Sequence, residues 1–405
     1  MKLPGRSRLL LEIDLTRPRI EVEPDDLPGK LRARQAMRWR RLINAIHDAA
    51  GSDQVAGLIA TMGTGLTLPQ AQELREAVAA LRAAGKPTFA WAESFGESGN
   101  GVTGYLLATG FGEIWLQPSS AIGLVGIAVE IRFLRGLLDK LGITPQLGQR
   151  KEYKSAGDRI MRDAFTPAHE EMIQQLTESA WDQVVAGIAA GRGLTRPEVE
   201  ALIDRGPWLA EAAREAGLID RVGFRDEVYD AARQACGGDV TLRYADQWSR
   251  PDPLPRRIQR RVTRPPAVAV VDVAGGIAEG RSRQGFPGRI CGSATVAGEL
   301  RAAAKDKGVA AVVLRVDSPG GSSVASYTIW QEVRRVREAG KPVVVSMGTL
   351  AASGGYLVSC GADVIVADPM TLTGSIGVVG GKAVVSDLVS RIGVTSGVVE
   401  RAGRR

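Results

Sequence analysis

The sequence predicts an α/β protein built as a tandem repeat, with parallel sheets flanked by helices and a helical insert between the halves. Three observations carry this. Gly104-Tyr105, Gly123, Gly126 and Gly142 recur as Gly355-Tyr356, Gly374, Gly377 and Gly393, each pair 251 residues apart. LGIT at 141–144 recurs as IGVT at 392–395, and AGKP at 84–87 recurs at 339–342. The AGKP pair stands 255 residues apart, which marks a four-residue difference in length before Gly-Tyr. Short, nearly all-apolar runs alternate with longer amphipathic ones in both halves, as expected of strands buried on both faces of a parallel sheet. A repeat this long constrains the fold before any single motif does.

In the first half the pattern predicts strands at 9–15, 55–61 and 87–92 and helices at 35–50 and 69–84. The second half repeats the order, with strands at 267–273, 310–316, 342–346 and 363–367 and helices at 296–306 and 322–338. Between them, residues 166–247 are helix-rich. An apolar period near 3.6 runs over 170–191, and a helix over 196–205 opens with Pro197 soon after Thr195. Residues 249–266 hold five prolines and six arginines and read as an exposed linker. The expected division is a first repeat at 1–165, its helical extension at 166–248, that linker, and a second repeat at 267–405. The second copy stops twelve residues after Gly393, so the chain is expected to be a fragment of a longer protein.

An apolar fraction of 44% over 405 residues supplies ample core. The formal charge of +7 gathers in residues 32–41, 250–264 and 401–405. Aromatics are only 5% and are not interleaved with those arginines, so stacking platforms for bases are lacking and no nucleic-acid partner is expected. The same arginines suit an acidic membrane surface, or plain solvation. Cys236, Cys291 and Cys360 have no metal-ligand spacing, and their odd number argues against a disulfide framework. There is neither an apolar run long enough to span a membrane nor a signal peptide, which points to a cytoplasmic or peripherally membrane-associated chain.

Two motifs carry the chemistry. DSPGGSS at 317–323 follows the strand ending at Val316, and two glycines at a strand-to-helix turn expose N–H groups at the positive end of a helix. A phosphate-binding P-loop would require Lys-Ser/Thr after the glycines, and none is present. A simple tight turn explains the pair equally well. In AASGGY at 351–356, Ser353 stands between small residues that would let a substrate approach closely. The amides of Gly354 and Gly320 are then placed to cradle the oxyanion of a tetrahedral intermediate. A helix N-cap serine is the equal alternative.

A nucleophilic serine requires a base. The two histidines, His47 and His169, lie on polar helical stretches and give a Ser-His-Asp triad little support. Lysine substitutes when burial lowers its pKa. Lys154, in RKEYKSAGD, is the candidate; its counterpart 251 residues on is Arg405, which cannot act as a base at neutral pH. Val102 stands in the first copy where Ser353 stands in the second. Lys151 competes for the role, but Arg150 and Glu152 beside it suggest solvation. Ser375, in LTGSIG, either orients the lysine amine by a hydrogen bond or packs in a tight turn; its counterpart is Leu124.

RVDSPGGS, MGTLAASGGY, TLTGSIG and KEYKSAGDRIMRD together closely resemble the motifs of the signal peptide peptidase A family, in its long two-repeat form also called protease IV. The resemblance covers almost the whole chain, including GLIDRVG at 217–223. It implies a tandem Clp protease/crotonase-like fold and a Ser-Lys endopeptidase acting on apolar peptides such as cleaved signal peptides. By position it puts the nucleophile on Ser353, the general base on Lys154, the oxyanion donors on Gly320 and Gly354, and the lysine-orienting residue on Ser375. It implies no cofactor, and a homo-oligomer enclosing the sites. Family members often carry a membrane anchor, and long-form members continue past the position of Arg405. Two rival readings are a crotonase-like enzyme acting on acyl-CoA thioesters and a non-catalytic scaffold of the same fold.

Overall fold

The computed structural model describes residues 8–24, 27–97, 99–250, 266–285 and 288–397. Most of the expected linker, together with Arg401, Arg404 and Arg405, lies outside the described residues. The chain groups into two compact bodies, residues 1–127 with 179–373 and residues 128–178 with 374–405, so each sequence repeat contributes to both.

The first body opens with the first repeat: β1 (Arg8–Asp14), α1 (Trp39–Ala50), β2 (Val55–Thr61), α2 (Leu68–Ala83), β3 (Thr88–Ala92), α3 (Val102–Ala108) and β4 (Glu113–Leu116). The helical extension adds β5 (Arg221–Val222), α4 (Arg225–Ala235) and β6 (Val240–Tyr244). These strands form one parallel sheet in the order β5-β4-β3-β2-β1-β6. Every residue of β2 and β3 is buried because both faces are covered. Leu42 and Ile46 of α1 and Leu74 and Val78 of α2 join the core of one face. On the other, Val228, Tyr229 and Ala232 of α4 pack on Phe89, Trp91 and Trp115. Helix α1 starts four residues later than the periodicity predicts, because Met37 and Arg38 pair in extended form with Arg19 and Ile20.

The second repeat supplies β7 (Ala267–Ala274), α5 (Ser293–Lys305), β8 (Val309–Ser318), α6 (Ser323–Glu338), β9 (Val343–Ala352), α7 (Gly354–Ser359) and β10 (Val364–Val366). Four strands of its sheet, β7-β8-β9-β10, lie side by side and parallel, in the same order as β1-β2-β3-β4. Val364, Ile365 and Val366 of β10 are exposed, whereas β4 is buried beneath β5 and α4. The two sheets are joined within this body by side chains. Thr67 Oγ1, which caps α2, lies 2.8 Å from Thr349 Oγ1, and Met370 N donates to Gln72 Oε1 at 3.0 Å. Arg315 stands 3.6 Å from both Glu21 and Glu73.

The length difference between the copies falls after the third strand. In the first repeat nine residues, 93–101, separate β3 from α3; in the second only Ser353 separates β9 from α7. The sequence pattern ends the β9 strand at Ser346, where Met347-Gly348 breaks the apolar run. The strand instead continues to Ala352 across a register shift opposite 316–318, and Asp317 Oδ1 accepts from Leu350 N at 3.0 Å.

In the second body, the strand Thr144–Gln149 runs antiparallel to Val379–Val384. Short helices at Arg135–Leu141 and Ser386–Arg391 flank the pair. The helix Pro167–Arg192 begins here, with proline at its first position after Thr166. No helix among the described residues is long and apolar enough to cross a membrane.

Candidate active site

Ser353 is the single residue that turns the chain from β9 into α7, and it does so with φ 53° and ψ −111°. A side chain with a Cβ rarely adopts that conformation, which costs roughly 1–3 kcal/mol and clusters at functional sites. It occupies the N-cap position of α7 with no side-chain capping hydrogen bond. The conformation is that of a strand–turn–helix elbow, which lifts a serine hydroxyl off the end of a parallel sheet.

The glycines of DSPGG pack directly against this turn. Gly320 has φ 92°, and a Cβ on it would collide with the Gly354 amide nitrogen and stand 2.8 Å from Ala352 O. A Cβ on Gly354 would collide with Ser326 Oγ and stand 3.2 Å from Gly321 N. Only glycine permits so close an approach of the two turns. Gly320 N donates at 3.1 Å to Ser318 Oγ, which is fully buried and itself donates to Gly275 O at 2.7 Å. The Gly320 N–H is therefore committed inside the loop, whereas the neighbouring exposed Gly321 N and the Gly354 N make no such bond among the described residues.

Lys154 and Ser375 lie in the second body. Lys154 is 3% exposed, and its Nζ donates to the backbone oxygen of Ser375 and, at 3.0 Å, to Ser375 Oγ. Burial disfavours the ammonium and lowers its pKa from the ordinary lysine value. The antiparallel pair holds these two loops together: Gln149 faces Val379, and Arg150 N donates to Val378 O at 3.0 Å. Ser375 itself has φ 49°, between Gly374 at 82° and Gly377 at 127°. Lys151 is exposed, as its charged neighbours lead one to expect. His47 is exposed on α1; His169, read from sequence as lying on a polar stretch, is 3% exposed with Nδ1 3.3 Å from Asp158 Oδ2.

The candidate residues thus fall into two groups, Ser353 with Gly320 and Gly354 in the first body and Lys154 with Ser375 in the second. Sequence reasoning assigned no role to Asp317 or Ser318, although both stand in the DSPGG motif. Asp317 is buried enough to raise its carboxyl pKa, with Glu21 nearby adding to the effect and Leu350 N opposing it.

The model of peptidase family S49 matches residues 80–238 and 335–403, more than half of the chain. The chain is 34% identical over 372 residues to "Protease 4" of Salmonella typhi, covering 88% of this chain and 57% of that protein. It is 31% identical over 319 residues to "Serine protease SPPA, chloroplastic" of Arabidopsis thaliana, covering 76% and 47%. Against "Protease 4" of Haemophilus influenzae the figures are 31% over 369 residues, 87% and 58%. The chain therefore spans about half the length of these relatives. Its two parallel sheets with flanking helices are the tandem Clp protease/crotonase-like fold expected from the sequence. On the match over both repeats, the chain belongs to peptidase family S49.

Proposed function

We propose that the chain acts as a serine peptidase, with Ser353 as nucleophile and Lys154 as general base. The observation that carries this reading is the backbone of Ser353, a strained one-residue turn packed on a glycine loop. The buried Lys154, with its lowered pKa, supports the choice of base. Neutral Lys154 takes the Ser353 proton as Oγ attacks the peptide carbonyl. Glycine amides of the two turns hold the oxyanion: Gly354 with Gly321, or with Gly320 once that amide leaves Ser318. Lys154 then protonates the leaving amine, and water releases the acyl group from Ser353. Ser375 orients the Lys154 amine.

The proposed substrates are apolar peptides, cleaved signal peptides among them. The names of the relatives, Protease 4 and Serine protease SPPA, support the peptidase class. With this goes a proposed organisation of two repeats, 1–165 and 267–405, joined by the helical extension 166–248 and the linker 249–266. Assembly with further copies and contact with a membrane surface through the arginine clusters are proposed with it. Labelling by a fluorophosphonate probe tests the reading. Wild type should label and Ser353→Ala should not, while Lys154→Ala should slow labelling by about 10²- to 10⁴-fold at neutral pH. Equal labelling of Ser353→Ala would remove the nucleophile.

A further inference from the structure

We infer that Asp158 and His169 form a buried pair that positions Lys154, an inference that rests on the role of Lys154 proposed above. Lys154 sits on the connection between the strand Thr144–Gln149 and the short helix Asp158–Met161. Asp158 is 2% exposed and gathers that connection at both ends. Its Oδ1 accepts from Gln149 Nε2 at 3.2 Å, which closes the loop 149–158 around Lys154. Its Oδ2 accepts from Thr166 Oγ1 at 3.3 Å, and Thr166 Oγ1 in turn accepts from His169 N at 3.3 Å at the start of Pro167–Arg192.

The His169 ring completes the arrangement. Nδ1 lies 3.3 Å from Asp158 Oδ2, off the line of a formed hydrogen bond, and the ring stands edge-on to Phe165 at 5.1 Å and Phe133 at 6.2 Å. A carboxyl group removed from water keeps its place only where polar partners surround its oxygens. Gln149 and Thr166 are those partners, with His169 Nδ1 standing 3.3 Å from the same group, so strand, loop and helix meet on one buried carboxyl. Both residues act through Lys154 and are positioning residues. A base must stand within hydrogen-bond reach of the proton it takes, and a displacement of about 1 Å can cost on the order of a hundredfold in rate.

The test uses the full chain with a peptide substrate, comparing His169→Phe, His169→Asn, Asp158→Ala and Lys154→Met. Asparagine places its Nδ2 near the position of the imidazole Nδ1, whereas phenylalanine keeps only the ring. His169→Phe and Asp158→Ala should lower kcat by about tenfold to a hundredfold with KM nearly unchanged, and His169→Asn should recover most of the loss. Acetylation of Lys154 by acetic anhydride, quantified by mass spectrometry, should rise in His169→Phe and not in His169→Asn, a readout that requires no turnover. A wild-type kcat in His169→Phe beside an inactive Lys154→Met would overturn this inference alone. Equal losses in the Phe and Asn variants, in step with their melting temperatures, would also overturn it by reducing the pair to a structural role. A fully active Lys154→Met would overturn the base assignment and this inference with it.

Discussion

An amine that is 3% exposed loses solvation chiefly in its charged form, so the burial of Lys154 favours the neutral base. Activity that requires that base should rise with pH along a limb centred below the ordinary lysine value of about 10.4. The pH dependence of fluorophosphonate labelling measures this, and a limb at or above that value would refute it. The same shift acts on stability with a definite sign. Between the lowered folded pKa and the unfolded value the unfolded chain binds more protons, so this group's contribution to stability rises with pH across that window. Ser353, Lys154 and Ser375 are singled out in the sequence by residue type and a mismatched repeat partner. His169 is not: its neighbours in sequence, Glu170 and Glu171, are polar, and its burial comes from Phe133 and Phe165. The engagement of Gly320 by Ser318 was equally hidden, since a hydroxyl two residues away reads the same whether it faces solvent or turns inward.

Among the elements, α2 ties the two repeats together at its first turn. Thr67 accepts from Gln70 N at 3.4 Å, Gln70 Oε1 accepts from Thr67 N at 3.3 Å, and the Thr67 hydroxyl also reaches Thr349 on β9. Thr67→Ala should cost about 1–2 kcal/mol in urea denaturation, and Thr67→Ser should cost only a fraction of that because the capping oxygen remains. An equal loss in both variants would place the effect in the methyl group. Strands and helices were legible wherever one periodicity ran unbroken, as in β2, β3 and α2. The pattern erred where long-range pairing overrode local preference: Met37 and Arg38 were drawn into a ladder, and β9 was carried through Gly348 by Asp317.

At the scale of the molecule, the joint between the repeats in the first body gathers carboxylates. Asp368 stands there with its pKa pushed up to about 6, first by burial and then by Glu73 and Glu76 of α2, against the pull of Arg315. A folded pKa above the unfolded one means that the folded chain binds the extra proton between about pH 4 and 6. The stability this group lends is present below that window and lost as pH rises through it. Asp368→Asn should therefore raise stability at pH 7 to 8 by about 1 kcal/mol, an amount reduced for solvent screening, and should do little at pH 4. Thermal melts at the two pH values check it; the same change at both would show that charge is not the cause. The repeat was the most legible feature of the whole chain, because a glycine spacing is kept wherever turns recur. The grouping into two bodies was not, since it divides both repeats internally.

The connection after the third strand gives the duplication a mechanical meaning. One copy spreads the turn over nine residues between β3 and α3, and the other is taut, with Ser353 alone between β9 and α7. In the taut copy the whole reversal of direction falls on one residue's torsions, and that residue is stiffly aimed. In the longer connection the same reversal is shared among many bonds, and the matching position, Val102, falls inside the first turn of α3. Loop length thus decides which copy places the whole reversal on the torsions of one serine.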